Sequence, residues 1–311
     1  MDKITSKTEP DKNEKNELVL TPGGWRPKSK VHLVELGHHI SVEDGNLKII
    51  HTETGKLIKD FGKIQEVPEE KGKRILRVRL AERKKGAAAT TPITDGWIIY
   101  SDWTSNTENP ISYFRTRWIV PREPATNNDQ TVYLFNGLQE TIEGPFILQP
   151  VLQWGASPAG GGKFWSITNW YVDREGGHAF HGHLVRVNPG DVLDGVMSLL
   201  GQYGKSFSYI SSFTGFPTTD LRAYSKELRW ACETLECYGF KAFTDYPDAE
   251  FTAFRDIEIR VRTATKPNII DTNATINWQA NNIVTDNGQQ CRILSNASPG
   301  GEVRLYYRKV T

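Results

Sequence analysis

An all-β fold, a sandwich or barrel of many short strands, is what this sequence predicts, and three observations predict it. Short apolar runs recur along most of the chain, each broken by Gly, Pro or Asn. Several of them alternate apolar with polar residues, the two-residue period of a half-exposed strand. No long segment carries a 3.6-residue period, which sets helices aside. Many short strands at such spacing bury their apolar faces against each other as a sandwich or barrel.

Taken in order, residues 1–17 are rich in Lys, Asp, Glu and Asn and nearly free of apolar side chains, so they read as disordered. Residues 18–90 form a basic accessory segment. In it Leu18-Val19-Leu20 leads into the turn Thr21-Pro22-Gly23-Gly24, and Val31-His32-Leu33-Val34 follows. Short strands at 47–51 and 57–61 flank Glu53-Thr54-Gly55-Lys56, and Ile75 to Leu80 alternates apolar with basic. The run Lys84 to Pro92 is small and polar, and reads as a linker open to cleavage. Residues 91–311 carry the sandwich. Strands are expected at 97–100, 114–120, 132–135, 146–153, 164–172, 183–187 and 192–200. Further strands follow at 207–213, 228–235, 257–261, 276–278, 292–294 and 303–307.

Composition narrows the function classes. The 311 residues have a net charge of +1, so nothing overall points to nucleic acid or to an anionic membrane. The balance hides a division: up to Thr90 there are roughly 19 Lys/Arg against 14 Asp/Glu, and roughly 19 against 23 beyond it. No run approaches the ~20 apolar residues of a membrane span. The polar start Met1 to Asn16 lacks the apolar centre of a secretory signal, which reads as a cytoplasmic address. Three cysteines make no disulfide framework, and Cys232 and Cys237 are expected as reduced thiols.

Two polar residues stand out in segments that otherwise read as buried strands. Glu233 ends Trp230-Ala231-Cys232-Glu233, and Gln149 lies inside Phe146-Ile147-Leu148-Gln149-Pro150-Val151-Leu152. A lone buried carboxylate costs several kcal/mol, so a fold keeps one only with a partner or a use. A carboxylate as general base and a carboxamide as oxyanion donor suffice to hydrolyse an acyl bond through water. Alternation places Gln149 with Ile147 and Glu233 with Ala231, and one sheet face could carry both polar groups. The bland alternative is two satisfied polar residues on solvent faces, the commoner outcome for an arbitrary pair.

The surrounding residues resemble those of the glutamic peptidases, or eqolisins. Trp118-Ile119-Val120-Pro121 looks like that family's opening strand. Phe135-Asn136-Gly137-Leu138-Gln139 followed by Ile147-Leu148-Gln149 is similar to its Trp-Val-Gly-Ile-Asp and Ile-Leu-Gln segments at the same separation. Asn169-Trp170-Tyr171 and Val187-Asn188-Pro189-Gly190-Asp191 resemble its Glu-Trp-Tyr and Gly-Asp turn. Trp230 to Glu233 matches its Trp-x-x-Glu, and Phe251 to Val261 its last core strand. The likeness spans roughly residues 110–262.

The resemblance implies a two-sheet antiparallel β-sandwich, a concanavalin-like, eqolisin-like jelly roll, and hydrolysis by a dyad. In it Glu233 activates a water and Gln149 stabilises the oxyanion, the side chains within about 3 to 6 Å of each other. It also implies substrate contacts from Phe135, Gln139, Asn169, Trp170 and Trp230, a peptide or small-molecule substrate, and secretion. No cofactor and no metal belong to that chemistry. The basic residues 18–80 would pack on the sandwich as a propeptide-like mask. Departures are specific: Phe135 and Gln139 stand where the family has Trp and Asp, and Asn169 where it has Glu. Two acidic groups near the cleft have become amides, which removes like-charge pressure on Glu233.

Two other classes remain open on the same scaffold: a non-proteolytic enzyme moving a proton on a small metabolite, and a lectin-like binding module. His178-x-x-His181-x-His183 has the makings of a metal site, though a polar loop and strand start is the better account. Gly160-Gly161-Gly162 follows no strand-to-helix pattern, so it does not read as a phosphate loop. Asn273-Ala274-Thr275 and Asn296-Ala297-Ser298 are glycosylation sequons with meaning only on export. Trp97, Trp103, Trp165 and Trp170 suit sugar stacking or, more simply, core packing.

Overall fold

The computed structural model describes residues 17–43, 45–64, 95–105, 109–173, 177–265 and 268–309. The expected strand at 75–80 and the linker at 84–92 lie outside them. In chain order the first strands are β1 (Leu18–Thr21), β2 (Gly24–Pro27), β3 (Val31–Leu33), β4 (His38–Glu43), β5 (Asn46–His51) and β6 (Leu57–Lys63). Next come β7 (Asp95–Thr104), β8 (Ile111–Ile119), β9 (Thr131–Gln139), β10 (Phe146–Ser157) and β11 (Gly160–Asp173). The short β12 (Ala179–His181) and β13 (Val185–Arg186) precede β14 (Val192–Tyr203), β15 (Ser206–Phe213) and β16 (Leu221–Ser225). The chain closes with β17 (Trp230–Tyr238), β18 (Phe251–Thr265), β19 (Asn268–Asn273), β20 (Gln279–Asn282), β21 (Gln290–Ser295) and β22 (Gly301–Tyr306).

Two large sheets form a sandwich. One runs β20-β7-β17-β9-β10-β11-β12-β3, with β13 also on β11. The other runs β21-β22-β18-β8-β14-β15-β16-β4-β5-β6, with β19 also on β18. Pairing is antiparallel except at two joints, where β3 lies parallel to β12 and β4 parallel to β16. Both joints are where residues 31–43 add to the body. The accessory segment gives its strands to both sheets and closes one side of the sandwich.

Burial follows the layers. β8 and β14 alternate buried with half-exposed positions, because one face meets the other sheet and one meets water. β9 and β17 are buried at every position, and β10 at all but its last two. These strands are covered on both sides, which is why Phe146 to Leu152 reads as an unbroken apolar run. The core between the sheets holds Trp118, Trp165, Phe114, Met197, Tyr209 and Phe254. A second cluster, with Tyr133, Phe135, Ile147, Val151, Trp170, Trp230 and Leu20, lies on the outer face of the first sheet. The β1–β2 hairpin covers it.

Some expectations need correction. Residues 276–278 form no strand; the ladder to β7 is made by 279–282 instead. The stretch 183–187 keeps only Val185 and Arg186 as strand, since His181 and Gly182 turn the chain away from β11. All three cysteines are buried and none is in a disulfide. Among the described residues no helix is long and apolar enough to cross a membrane.

Candidate functional site

The register of three strands decides where the two polar candidates point. Gly137 on β9 pairs with Cys232 on β17. On its other side the ladder steps from Leu148↔Leu138 to Val151↔Phe135, which sets Gly137 opposite Gln149. Directly paired residues share a face. A Cβ on Gly137 would lie 2.8 Å from Ile147 Cδ1 and 3.1 Å from Cys232 Sγ, so this face carries Ile147, Cys232 and Gln149. The same row continues through Trp170 to His181 in one direction and to Asp102 in the other. Gln149 therefore sits on the outer face, under the hairpin.

Glu233 pairs with Asn136 and points the other way. The Thr116 hydroxyl on β8, in the opposite sheet, donates to Glu233 Oε1 at 2.5 Å. Asn136 Nδ2 likewise crosses the sandwich to the Gly195 carbonyl at 3.2 Å. Glu233 is fully buried, and its Oε2 meets no hydrogen-bond partner among the described residues. Burial pushes its carboxyl well above the usual range, and the Thr116 bond only partly opposes this. The expectation that Gln149 and Glu233 share one face and one water is thus corrected. They occupy next-adjacent strands, yet a sheet lies between their side chains.

The expected substrate contacts divide in the same way. Phe135, Gln139, Trp170 and Trp230 share the outer face with Gln149. Gln139 Nε2 donates to the carbonyls of Thr141 and Gly144, and Trp230 Nε1 to Asp102 Oδ2 at 3.0 Å. Asn169 faces the core instead. Its Nδ2 donates to Thr219 O and Oγ1, and its Oδ1 accepts from the Ser211 hydroxyl at 2.5 Å. That set satisfies the amide and ties β11 to β15, so Asn169 is a structural residue.

Beneath the hairpin several polar atoms lack a hydrogen-bond partner among the described residues. They are both amide atoms of Gln149, the Tyr133 hydroxyl and Trp170 Nε1, all buried. The nearest buried carboxylate on this face is Glu236, fully buried four residues beyond Cys232 on β17. Four residues along a strand is about 13 Å, too far for Glu236 and Gln149 to share a water. Glu236 holds the hairpin instead: its Oε1 accepts from Gly23 N at 2.9 Å and from the Tyr238 hydroxyl at 2.5 Å.

Arg26 fastens the hairpin from within. It is 1 % exposed, and its guanidinium donates to Thr21 Oγ1 and to the carbonyls of Asp173 and Gly177. Burial lowers its pKa, while the charge of Asp173 and then Tyr238, Glu236 and Tyr133 work against that. Gly23 holds φ +83, which side-chain-bearing residues rarely adopt, and a Cβ there would press on Val172 Cγ1 at 3.2 Å. Arg26→Ala is expected to remove about 3 kcal/mol of hairpin anchoring, because carbonyls and nearby carboxylates lose their cation together. Limited proteolysis would read this as faster cutting within residues 18–30 while the body stays intact.

Where the hairpin meets the ends of β9 and β10 it leaves a cavity of about 720 Å³. Val19 and Trp25 form the hairpin wall, and Asp129, Ser157, Lys163 and His181 stand on the body side. Trp25 is 57 % exposed. None of the expected dyad or substrate-contact residues lines this cavity, though His181 of the histidine pattern does. Only the Trp-Arg step after Pro-Gly-Gly hinted at it, an aromatic beside a turn.

The three histidines of the His178-x-x-His181-x-His183 pattern go to different partners. His178 Nδ1 meets His32 Nε2 at 2.9 Å, His181 Nδ1 donates to Gly182 O at 2.8 Å, and His183 Nε2 meets Glu35 Oε2 at 2.8 Å. Among the described residues no group of three metal-binding side chains converges.

No protein-family model and no curated protein sequence matches the chain. Solved structures similar to it include scytalido-glutamic peptidase with a peptide-based transition-state analogue, at 11 % identity and a TM-score of 0.39. Another is the eqolisin SCP-B with the tripeptide Ala-Ile-His, at 13 % identity and a TM-score of 0.35. Each match covers 68 % of this chain and 98 % of the other. The likeness is one of fold.

Proposed function

We propose that this protein is a ligand-binding β-sandwich whose seat is the cavity between the N-terminal hairpin and the rim of the first sheet. One observation carries the reading: the cavity is walled by two parts of the chain that buried groups lock together, so it is a built concavity. Its volume of about 720 Å³ lies within the ~300–1,000 Å³ range of small-molecule sites. The hydrolase reading needs a base and an oxyanion donor at one water, and Gln149 and Glu233 face away from each other.

The deciding experiment pairs a thermal-shift screen of small polar compounds with cleavage of unfolded casein across acid and neutral pH. Binding predicts compounds that raise the melting temperature of the wild type but not of Ala156→Trp, which fills the cavity from its rim. It also predicts no casein cleavage that Glu233→Gln abolishes. Cleavage lost in that variant would return the molecule to the hydrolases.

A further inference from the structure

We infer that the cavity takes a neutral mono- or disaccharide, stacked on Trp25. The inference rests on the binding reading above and names its ligand class. Trp25 presents an exposed indole to the cavity from a hairpin that the buried Arg26 ties to the body. The negative face of an aromatic ring attracts the C–H face of a pyranose, an amphipathic partner of matching shape. A hairpin anchored before binding spares the cost of ordering it on binding.

The polar groups around the ring suit hydroxyls. A hydroxyl both donates and accepts, so it needs a wall that offers both kinds of partner. Asp129 supplies acceptor oxygens. It is one of two non-glycine residues with positive φ among the described residues, at 63°. Asparagine and aspartate adopt that region more readily than other side-chain-bearing residues. His181 is 7 % exposed and lines the cavity. Its Nδ1 donates to the Gly182 carbonyl, which leaves Nε2 as an acceptor. Lys163 brings a donor, and so does Asn127, whose buried Nδ2 has no hydrogen-bond partner among the described residues. Lys28 is committed to Glu17 at 3.0 Å. One ammonium and one carboxylate then remain on the wall, which favours a neutral ligand over an anion or a cation.

Calorimetric titration of the full-length protein tests this with maltose, cellobiose, lactose and di-N-acetylchitobiose. Glucuronate and the peptide Ala-Ala-Ala serve as the charged and peptide arms. At least one neutral sugar is expected to bind with a dissociation constant below about 1 mM. Trp25→Ala is expected to weaken it tenfold or more at an unchanged melting temperature. Asp129→Asn, which tolerates the same backbone, is expected to weaken it several-fold. A sugar that binds equally well to wild type and both variants overturns the site. If only the tripeptide or glucuronate binds, the sugar assignment fails while the cavity remains a binding site. If no compound of any arm binds, both readings fall.

Discussion

Acidification from pH 7 to pH 4 is expected to loosen residues 18–64 from the sandwich before the two large sheets part. The joint between the accessory segment and the body holds two histidines in contact. His32 on β3 meets His178 at 2.9 Å, and Phe61 of β6 packs on both rings at 4.5 and 4.9 Å. Only one of the two facing nitrogens can carry a proton without a head-on clash of N–H groups. Burial depresses His32 to about 3, with help from the charges of Lys59, His178 and His181. Burial likewise depresses His178 to about 4, followed by Lys30, Lys59 and Arg26. The charges that act on both rings are cations: Lys59 on His32, and Lys30, Lys59 and Arg26 on His178.

The direction of the effect follows from these values. Once released, both imidazoles take up protons near pH 6.5, while in the folded joint they resist until about 4 and about 3. Their contribution is therefore fully present above pH 6.5 and is lost progressively as pH falls toward 3. Both rings are half-exposed, so the full conversion of these shifts is discounted for solvent screening to about 2–4 kcal/mol. His39 on β4, depressed to about 4 by burial and by Arg222 and His38, adds in the same sense. Hydrogen exchange of β3 at pH 7, 5 and 4 would follow the release. The double variant H32F/H178F should keep its protection at pH 4. A double variant as acid-sensitive as the wild type would place the weak point elsewhere.

Why part of this was legible in the sequence, and part not, comes down to what a single strand can say. The apolar runs at 97–100, 132–135 and 146–153 each lie in an observed strand, and 303–307 runs one residue past β22, because side-chain burial alone decides them. Parity within a strand was legible too: Gln149 does project with Ile147, and Glu233 with Ala231. Register between strands was not. Whether Gln149 shares a face with Cys232 or with Glu233 depends on which residue of β9 stands between them, and a one-residue slip reverses the answer. Gly137 fills that place, and glycine leaves no side chain by which a sequence could mark its face. Trp25 escaped notice for another reason. Its neighbours Pro22, Gly23 and Gly24 read as a turn, and only the long-range contacts of Arg26 with Asp173 and Gly177 make that turn a cavity wall. Asn169 reads as a cleft amide until Thr219 and Ser211 appear beside it from strand-distant parts of the chain.

Glu233→Gln is expected to leave the fold intact and to grow more stable than the wild type as pH rises from 5 to 8. The carboxyl lies between the sheets with one hydrogen bond, from Thr116, and burial is what raises its pKa. An ionised carboxylate there would lack the solvation it has in water, so burial favours the protonated form. Its folded pKa stands above the unfolded value. The stabilisation is then fully present below about pH 4.3 and is lost as pH climbs toward the folded value. Over that window the wild type gives up about 1.4 kcal/mol per pH unit. The glutamine variant gives up none from this site. It can still accept from Thr116, so its neutral-pH cost is small. Glu233→Ala behaves otherwise, losing about 2–4 kcal/mol through the cavity and the abandoned Thr116 hydroxyl. Chemical denaturation of the three proteins at pH 5 and pH 8 separates these cases. A Glu233→Gln protein that is markedly weaker at both values would show that Glu233 is ionised and paired in the core. One whose sugar binding also vanished would tie the core carboxyl to the cavity across the sheet, against the placement of the two on opposite faces.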